Sequence, residues 1–122
     1  MDQAVRALRG ATTVDADTPE QVTERTVELL TAMLERNGVA HEDLISVVFT
    51  TTPDVVSLFP ATAARTMGLG DVPLLCASEI AVPGATPRCI RVLAHLVTDR
   101  PRQGLHHVYL QGARALRDDL PE

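Results

Sequence analysis

The sequence predicts an α+β fold in which helices pack on one face of a mixed β-sheet. Apolar and β-branched runs of strand length are interleaved with two helical segments in the order β-α-β-α-β-β-β, without internal repeats or low-complexity tracts. Two Phe, one Tyr and no Trp leave the core to Ala, Val and Leu. The 122 residues make one domain, residues 1–122, long enough to bury roughly two-thirds of the surface its unfolded chain exposes. A core so poor in aromatic area has to recover burial elsewhere, and a face packed against other subunits is one route.

Val5 to Val14 reads as the first strand, with Val5, Ala7 and Arg9 on one face and Arg6 and Leu8 on the other. Thr18 is a helix N-cap, Pro19 suits the first helical position, and Gln21 stands where a capping box needs it. Val22, Thr26, Leu29, Leu30 and Met33 follow at helical spacing, and Asn37-Gly38 stops the helix. Leu44 to Thr52 is a continuous β-branched run, expected as a buried strand that Pro53-Asp54 breaks. Phe59-Pro60 opens a short helix through Arg65, with Gly68 as its stop. Val72 to Ile80 reads as a strand passing into a loop, and Pro83, Gly84 and Pro87 mark a turn. Ile90 to Thr98 fits strand or helix by pattern; its length and its Thr-Asp-Arg-Pro ending favour strand. His107 to Leu110 is a last short strand, followed by a polar tail.

The net charge of −5 gives no basic excess for phosphates, so neither nucleic acid nor a membrane surface is an expected partner. All eleven basic residues are Arg, and seven lie in residues 61–122 against six acids, whereas residues 1–60 carry four Arg against ten acids. Arg presents a rigid fork of donors to carboxylates, so this half hints at an anionic ligand. Cys76 and Cys89 do not form a disulfide framework, and no apolar run approaches the ~20 residues of a membrane helix. With no apolar signal-peptide core after Met1, the chain is expected to be cytoplasmic with free thiols.

Familiar catalytic patterns are missing: no nucleophile elbow, no Gly-rich phosphate loop, and no Cys paired with a nearby His. Cys76, Glu79, His95, His106 and His107 match no zinc-ligand spacing, so no metal is expected. His106-His107 is expected to flank a strand with one side chain in and one out. What remains is Arg9, Glu79 and Arg91 on strands, with Tyr109 the sole tyrosine. Arg91 lies in I-R-V-L-A-H-L-V, apolar enough to predict burial, and a buried Arg needs a carboxylate from the protein or from a ligand.

R-G-A-T-T at 9–13, T-P-D at 52–54, F-P-A at 59–61, V-P-x-x-C-x-x-E at 72–79, C-I-R-V at 89–92 and H-V-Y-L at 107–110 occur in this order. Together they resemble the monofunctional chorismate mutases of the trimeric pseudo-α/β-barrel class, from about Val5 to Leu120. The resemblance implies a homotrimer with active sites between subunits, no cofactor and no metal. It also implies rearrangement of chorismate to prephenate in the shikimate pathway of aromatic amino acid biosynthesis. It makes Arg91 the donor to the ether oxygen and one carboxylate, Arg9 a carboxylate binder, and Glu79 the acceptor for the ring hydroxyl that also holds the arginines. Tyr109 and Cys76 would complete the polar contacts. Phe59, Ala61, Leu74 and Leu116 would form apolar walls, and Arg65 and Arg117 would add charge at the mouth. Two departures touch substrate binding: Thr62 stands where the family leads one to expect Lys, and Leu75 where it leads one to expect a small hydroxylated residue. Two other readings stay open at this point: a trimeric enamine/imine deaminase, which must activate water, and a non-catalytic trimeric ligand sensor.

Overall fold

A computed structural model describes residues 3–117, the side chain of Arg117 excepted. Five strands form one sheet: β1 (Ala4–Thr13), β2 (Leu44–Thr51), β3 (Leu74–Ser78), β4 (Cys89–Thr98) and β5 (Val108–Tyr109). Two helices, α1 (Pro19–Asn37) and α2 (Pro60–Thr66), complete the order read from the sequence, together with short 3-10 turns at His41–Asp43, Arg102–Gly104 and Gln111–Arg117. The strands lie in the order β3-β2-β4-β1-β5. β4 is antiparallel to both β1 and β2, whereas β2/β3 and β1/β5 are parallel pairs.

α1 starts as its sequence dictates: Thr18 Oγ1 accepts the Gln21 amide at 3.1 Å and Pro19 fills the first turn. The expected capping box is only half made, because Gln21 Oε1 reaches past Thr18 to accept the Asp15 amide at 2.8 Å. Gly38 ends the helix in the left-handed conformation (φ 63°). Val22, Thr26, Leu29, Leu30 and Met33 are all buried; Leu29, Leu30 and Met33 pack on the sheet with Leu8, Val47, Phe49, Val92 and Leu96, and Val22 packs with Val14, Val55 and Ile90. The close seat of α1 on β1 depends on Gly10, where an added Cβ would lie 2.5 Å from Met33 Sδ.

Alternation along β1 and β4 leaves the second sheet face open: Val5, Ala7 and Arg9 are exposed, as are Arg91 and Leu93. One end of that face is covered. The segment expected as a polar tail instead forms the Gln111–Arg117 turn, entered through a left-handed Gln111 (φ 54°). It folds back so that Ala113 and Leu116 pack with Ala11, Cys89 and Tyr109 in a small second core. The third strand is shorter than the expected 72–80, since its parallel pairing with β2 runs from Leu74 to Ser78. Among the described residues no helix is long and apolar enough to cross a membrane.

Candidate active site

The sheet register brings the motif residues together. Arg91, on the central strand, pairs with Thr50 on one side and Ala11 on the other, and Ala11 pairs in turn with Tyr109. The Glu79 amide donates to the Thr51 carbonyl at 2.8 Å, which prolongs the β2/β3 ladder by one rung and puts its carboxylate beside the row. Glu79 Oε2 lies 3.3 Å from Arg91 Nε and accepts the Thr50 hydroxyl at 2.6 Å. Arg9 faces the same side two residues before Ala11, and Arg9, Val48, Thr50, Arg91, Leu93 and Tyr109 line a cavity of about 260 Å³.

The expected burial of Arg91 is corrected by the structure: 46% of its side chain is exposed. The apolar character of its segment comes from Ile90, Val92, Ala94 and Leu96, which alternate into the helix-covered core and leave Arg91, Leu93 and His95 on the other face. Two residues before Arg91, Cys89 is buried in the small core, and burial pushes its thiol up from the ordinary range.

The remaining candidates divide. Phe59 is 70% exposed and, with Val55, Val56, Leu58, Pro60 and Cys76, lines a separate cavity of about 470 Å³. Leu74 and Cys76 pack against the main core, while Leu75 points out on the open face. Ala61 is buried in the main core and lines neither cavity. Arg65 is exposed on the last turn of α2, and Leu116 packs beside Tyr109. The side chain of Arg117 lies outside the described residues.

The loop that carries Phe59 is held by two carboxylates. Asp17 accepts the amides of Val56 at 3.0 Å and Ser57 at 3.1 Å. Asp54 accepts the Thr52 hydroxyl at 2.5 Å and the Arg88 amide on both oxygens. That second contact ties the T-P-D segment to the residue that leads, in a left-handed conformation (φ 48°), into β4 and Arg91. The neighbouring Ser57 side chain is the leading influence holding the Asp17 carboxyl below its ordinary value, followed by the Val56 amide. For Asp54 the Thr52 hydroxyl is the leading cause of a similar lowering, against the opposing effect of burial. Thr50, Asp17 and Asp54 were not singled out as site residues from sequence. Thr50 alone had a readable signal, sharing the strand parity of Ser46 and Val48 on the open face.

With this geometry in view, residues 5–120 match the family model for chorismate mutase type I. The chain belongs to the chorismate mutase type I family. A chorismate mutase AroH of Thermus thermophilus is 54% identical over 117 residues, covering 95% of this chain and 96% of its own. The chorismate mutase AroH of Bacillus subtilis (strain 168) is 40% identical over 117 residues, or 95% and 92% of the two chains. A solved chorismate mutase from Clostridium thermocellum superposes with a TM-score of 0.89 at 45% identity, over 90% of this chain and 98% of that one. The mixed α+β architecture is thus that of chorismate mutase type I, and the chain is an isomerase that converts chorismate to prephenate in aromatic amino acid biosynthesis.

Proposed function

We propose that the reaction takes place at the Arg91 row, in a pocket completed by a second copy of the chain within a homotrimer in the cytoplasm. One observation carries the reading. The charged set and the Phe59 wall lie in two cavities with no lining residue in common, and the sheet face bearing Arg9 and Arg91 also exposes Val5, Leu75 and Leu93. A copy seated on that face would cover these apolar side chains and bring a Phe59 cavity to an Arg91 cavity.

Chorismate is a dianion with two carboxylates, and its Claisen rearrangement breaks an ether C–O bond as a C–C bond forms. No proton is transferred and no covalent intermediate with the protein is needed. The useful levers are selection of the folded diaxial conformer and stabilisation of negative charge growing on the ether oxygen. In this reading Arg91 donates to that oxygen and to one carboxylate, while Arg9 binds a carboxylate. Glu79 accepts the ring hydroxyl and, through its 3.3 Å contact, orients Arg91. Tyr109 and the Cys76 main chain supply further polar contacts, Phe59, Leu74, Leu75 and Leu116 surround the ring, and Ala61 backs the wall from the core. Arg65 and Arg117 attract the dianion to the mouth.

Subunit mixing tests the composite pocket. Arg91→Ala and Phe59→Asp homotrimers should each be nearly inactive. Mixed trimers reassembled from the two should regain activity, because some pockets then draw both intact halves. Failure of any mixture to exceed its parents would place the whole pocket within one chain and overturn the reading.

A further inference from the structure

Arg9 is held by an unusual rung of the sheet. The Ala11 carbonyl accepts the Leu110 amide at 2.9 Å on the β5 side, and strand residues two apart turn their main-chain groups to the same side. The Arg9 amide therefore faces β5 as well. The parallel pairing there includes only Gly10 and Ala11, so the regular ladder stops short of Arg9. The imidazole of His107 takes the vacant position: Arg9 N donates to His107 Nδ1 at 3.0 Å. A ring nitrogen that accepts must carry its lone pair, which puts the imidazole proton on Nε2. The segment is fixed from behind by Asn37, 1% exposed at the end of α1. Its Oδ1 accepts the His106 amide at 2.6 Å, and its Nδ2 donates to the carbonyls of His106 at 2.9 Å and Met33 at 2.8 Å.

We propose that His107 is a positioning residue for Arg9. Acting as a side-chain extension of the β5 ladder, it fixes the main chain at Arg9 and so the direction in which the guanidinium enters the cavity with Arg91 and Tyr109. The inference rests on the reading of Arg9 as a carboxylate binder. Removing the rung should loosen capture of the substrate and leave charge stabilisation at the ether oxygen largely intact, a change in KM more than in kcat.

The test compares His107→Leu, which lacks an acceptor, with His107→Asn, whose Oδ1 takes the place of Nδ1. His107→Leu should raise KM for chorismate about 5–10-fold, the scale of one unmet amide hydrogen bond, with kcat within about twofold. His107→Asn should return KM to within about twofold of the parent. In an Arg9→Ala background, His107→Leu should add nothing, since both changes then act on one lost contact. Nitrogen-15 NMR of the unsubstituted protein should show His107 protonated at Nε2, with an Arg9 amide proton that shifts upfield in His107→Leu. An unchanged KM in His107→Leu, equal effects of Leu and Asn, additivity with Arg9→Ala, or a proton on Nδ1 would each overturn the proposal. Should Arg9→Ala itself leave KM unchanged, the assignment of Arg9 fails instead, and the NMR measurement still decides whether His107 holds its amide. The NMR result also decides the matter if His107→Leu does not fold.

Discussion

Arg91 Nε and Glu79 Oε2 lie 3.3 Å apart on the open face of the sheet, and the Thr50 hydroxyl donates to the same carboxylate oxygen at 2.6 Å. With its Nε committed to Glu79, the guanidinium keeps its terminal nitrogens for a ligand while the ion pair and the hydroxyl restrict its rotation. Arg91→Ala should therefore lower kcat by at least about 10²–10³-fold, the scale of losing one preorganised donor. Arg91→Lys should recover only part, because one ammonium cannot face Glu79 and two substrate oxygens in a fixed fork. Steady-state kinetics on folded protein decides; wild-type kcat in Arg91→Ala would remove Arg91 from the chemistry.

The exposed apolar face makes an assembly prediction. Sedimentation equilibrium should return about three chain masses of 13.2 kDa. Val5→Asp, on the open face and 61% exposed, should dissociate the assembly and abolish activity with it. A stable, fully active monomer would contradict both the trimer and the shared pocket.

Much of this was legible in the sequence, for identifiable physical reasons. α1 announced itself through Thr18, Pro19 and Asn37-Gly38, local signals that act within one turn. The length and ending of the β4 segment point to the strand that forms, but its apolar composition overstates the burial of Arg91. A run such as Ile90–Val97 reads as largely apolar until alternation assigns Arg91, Leu93 and His95 to one face and Val92, Ala94 and Leu96 to the other. The Arg91–Glu79 pairing follows from the family resemblance and not from spacing, since Glu79 lies just past the end of β3 and Arg91 on β4, with β2 between these strands in the sheet. His107 and Asp54 escaped because each acts on a main-chain amide far away in sequence, at Arg9 and at Arg88. A side chain that satisfies a distant backbone group leaves no periodic trace.

Gly10 should be irreplaceable for packing. Gly10→Ala drives a Cβ to 2.5 Å from Met33 Sδ and 3.1 Å from Leu29 Cδ1, so α1 must shift or Met33 must leave its rotamer. The expected loss is on the order of 1–3 kcal/mol, read as a lower urea midpoint with unchanged slope. Met33→Ala in the same chain should recover part of that loss. Equal midpoints for Gly10→Ala and its parent would show that the helix yields freely.

Acid should unfold the protein partly through Asp17 and Asp54. Both carboxyls are held below the ordinary 3.8 in the folded chain, chiefly by the Ser57 and Thr52 hydroxyls respectively. The unfolded state therefore takes up protons first as pH falls. The stabilisation is complete above the ordinary carboxylate range and is lost as pH drops through 3.8 and below. Asp17→Asn and Asp54→Asn should each be less stable than the parent near neutrality, and the difference should shrink toward about pH 3. Urea midpoints measured across that range test it, and a gap that widens with acid would reverse the sign of the argument.

The pH dependence of turnover separates this mechanism from water activation. The rearrangement makes and breaks only C–O and C–C bonds, so no group has to exchange a proton in the rate-limiting step. Guanidinium groups stay charged throughout the range in which proteins remain folded. His107 is argued to act on KM and so drops out at saturating chorismate, and neither the thiol beside Arg91 nor the carboxylates of the Phe59 loop should introduce a titrating limb. The Cys89 thiol lies beside the Arg91–Glu79 pair, but burial raises it above its ordinary 9.0, so no thiolate forms there near neutrality. Asp54 and Asp17, which hold the Phe59 loop, titrate below 3.8, well outside the working range. At saturating chorismate, kcat should be nearly flat from about pH 6 to about pH 9, and heavy water should change it little. A hydrolytic deaminase limited by water activation would show a titrating limb near neutrality and a solvent isotope effect well above unity. The measurement is a pH series in ordinary and heavy water, following chorismate absorbance with no metal or cofactor added. A bell-shaped profile with a large solvent effect would show that proton transfer limits turnover, and the electrostatic mechanism built on Arg91 would have to be given up.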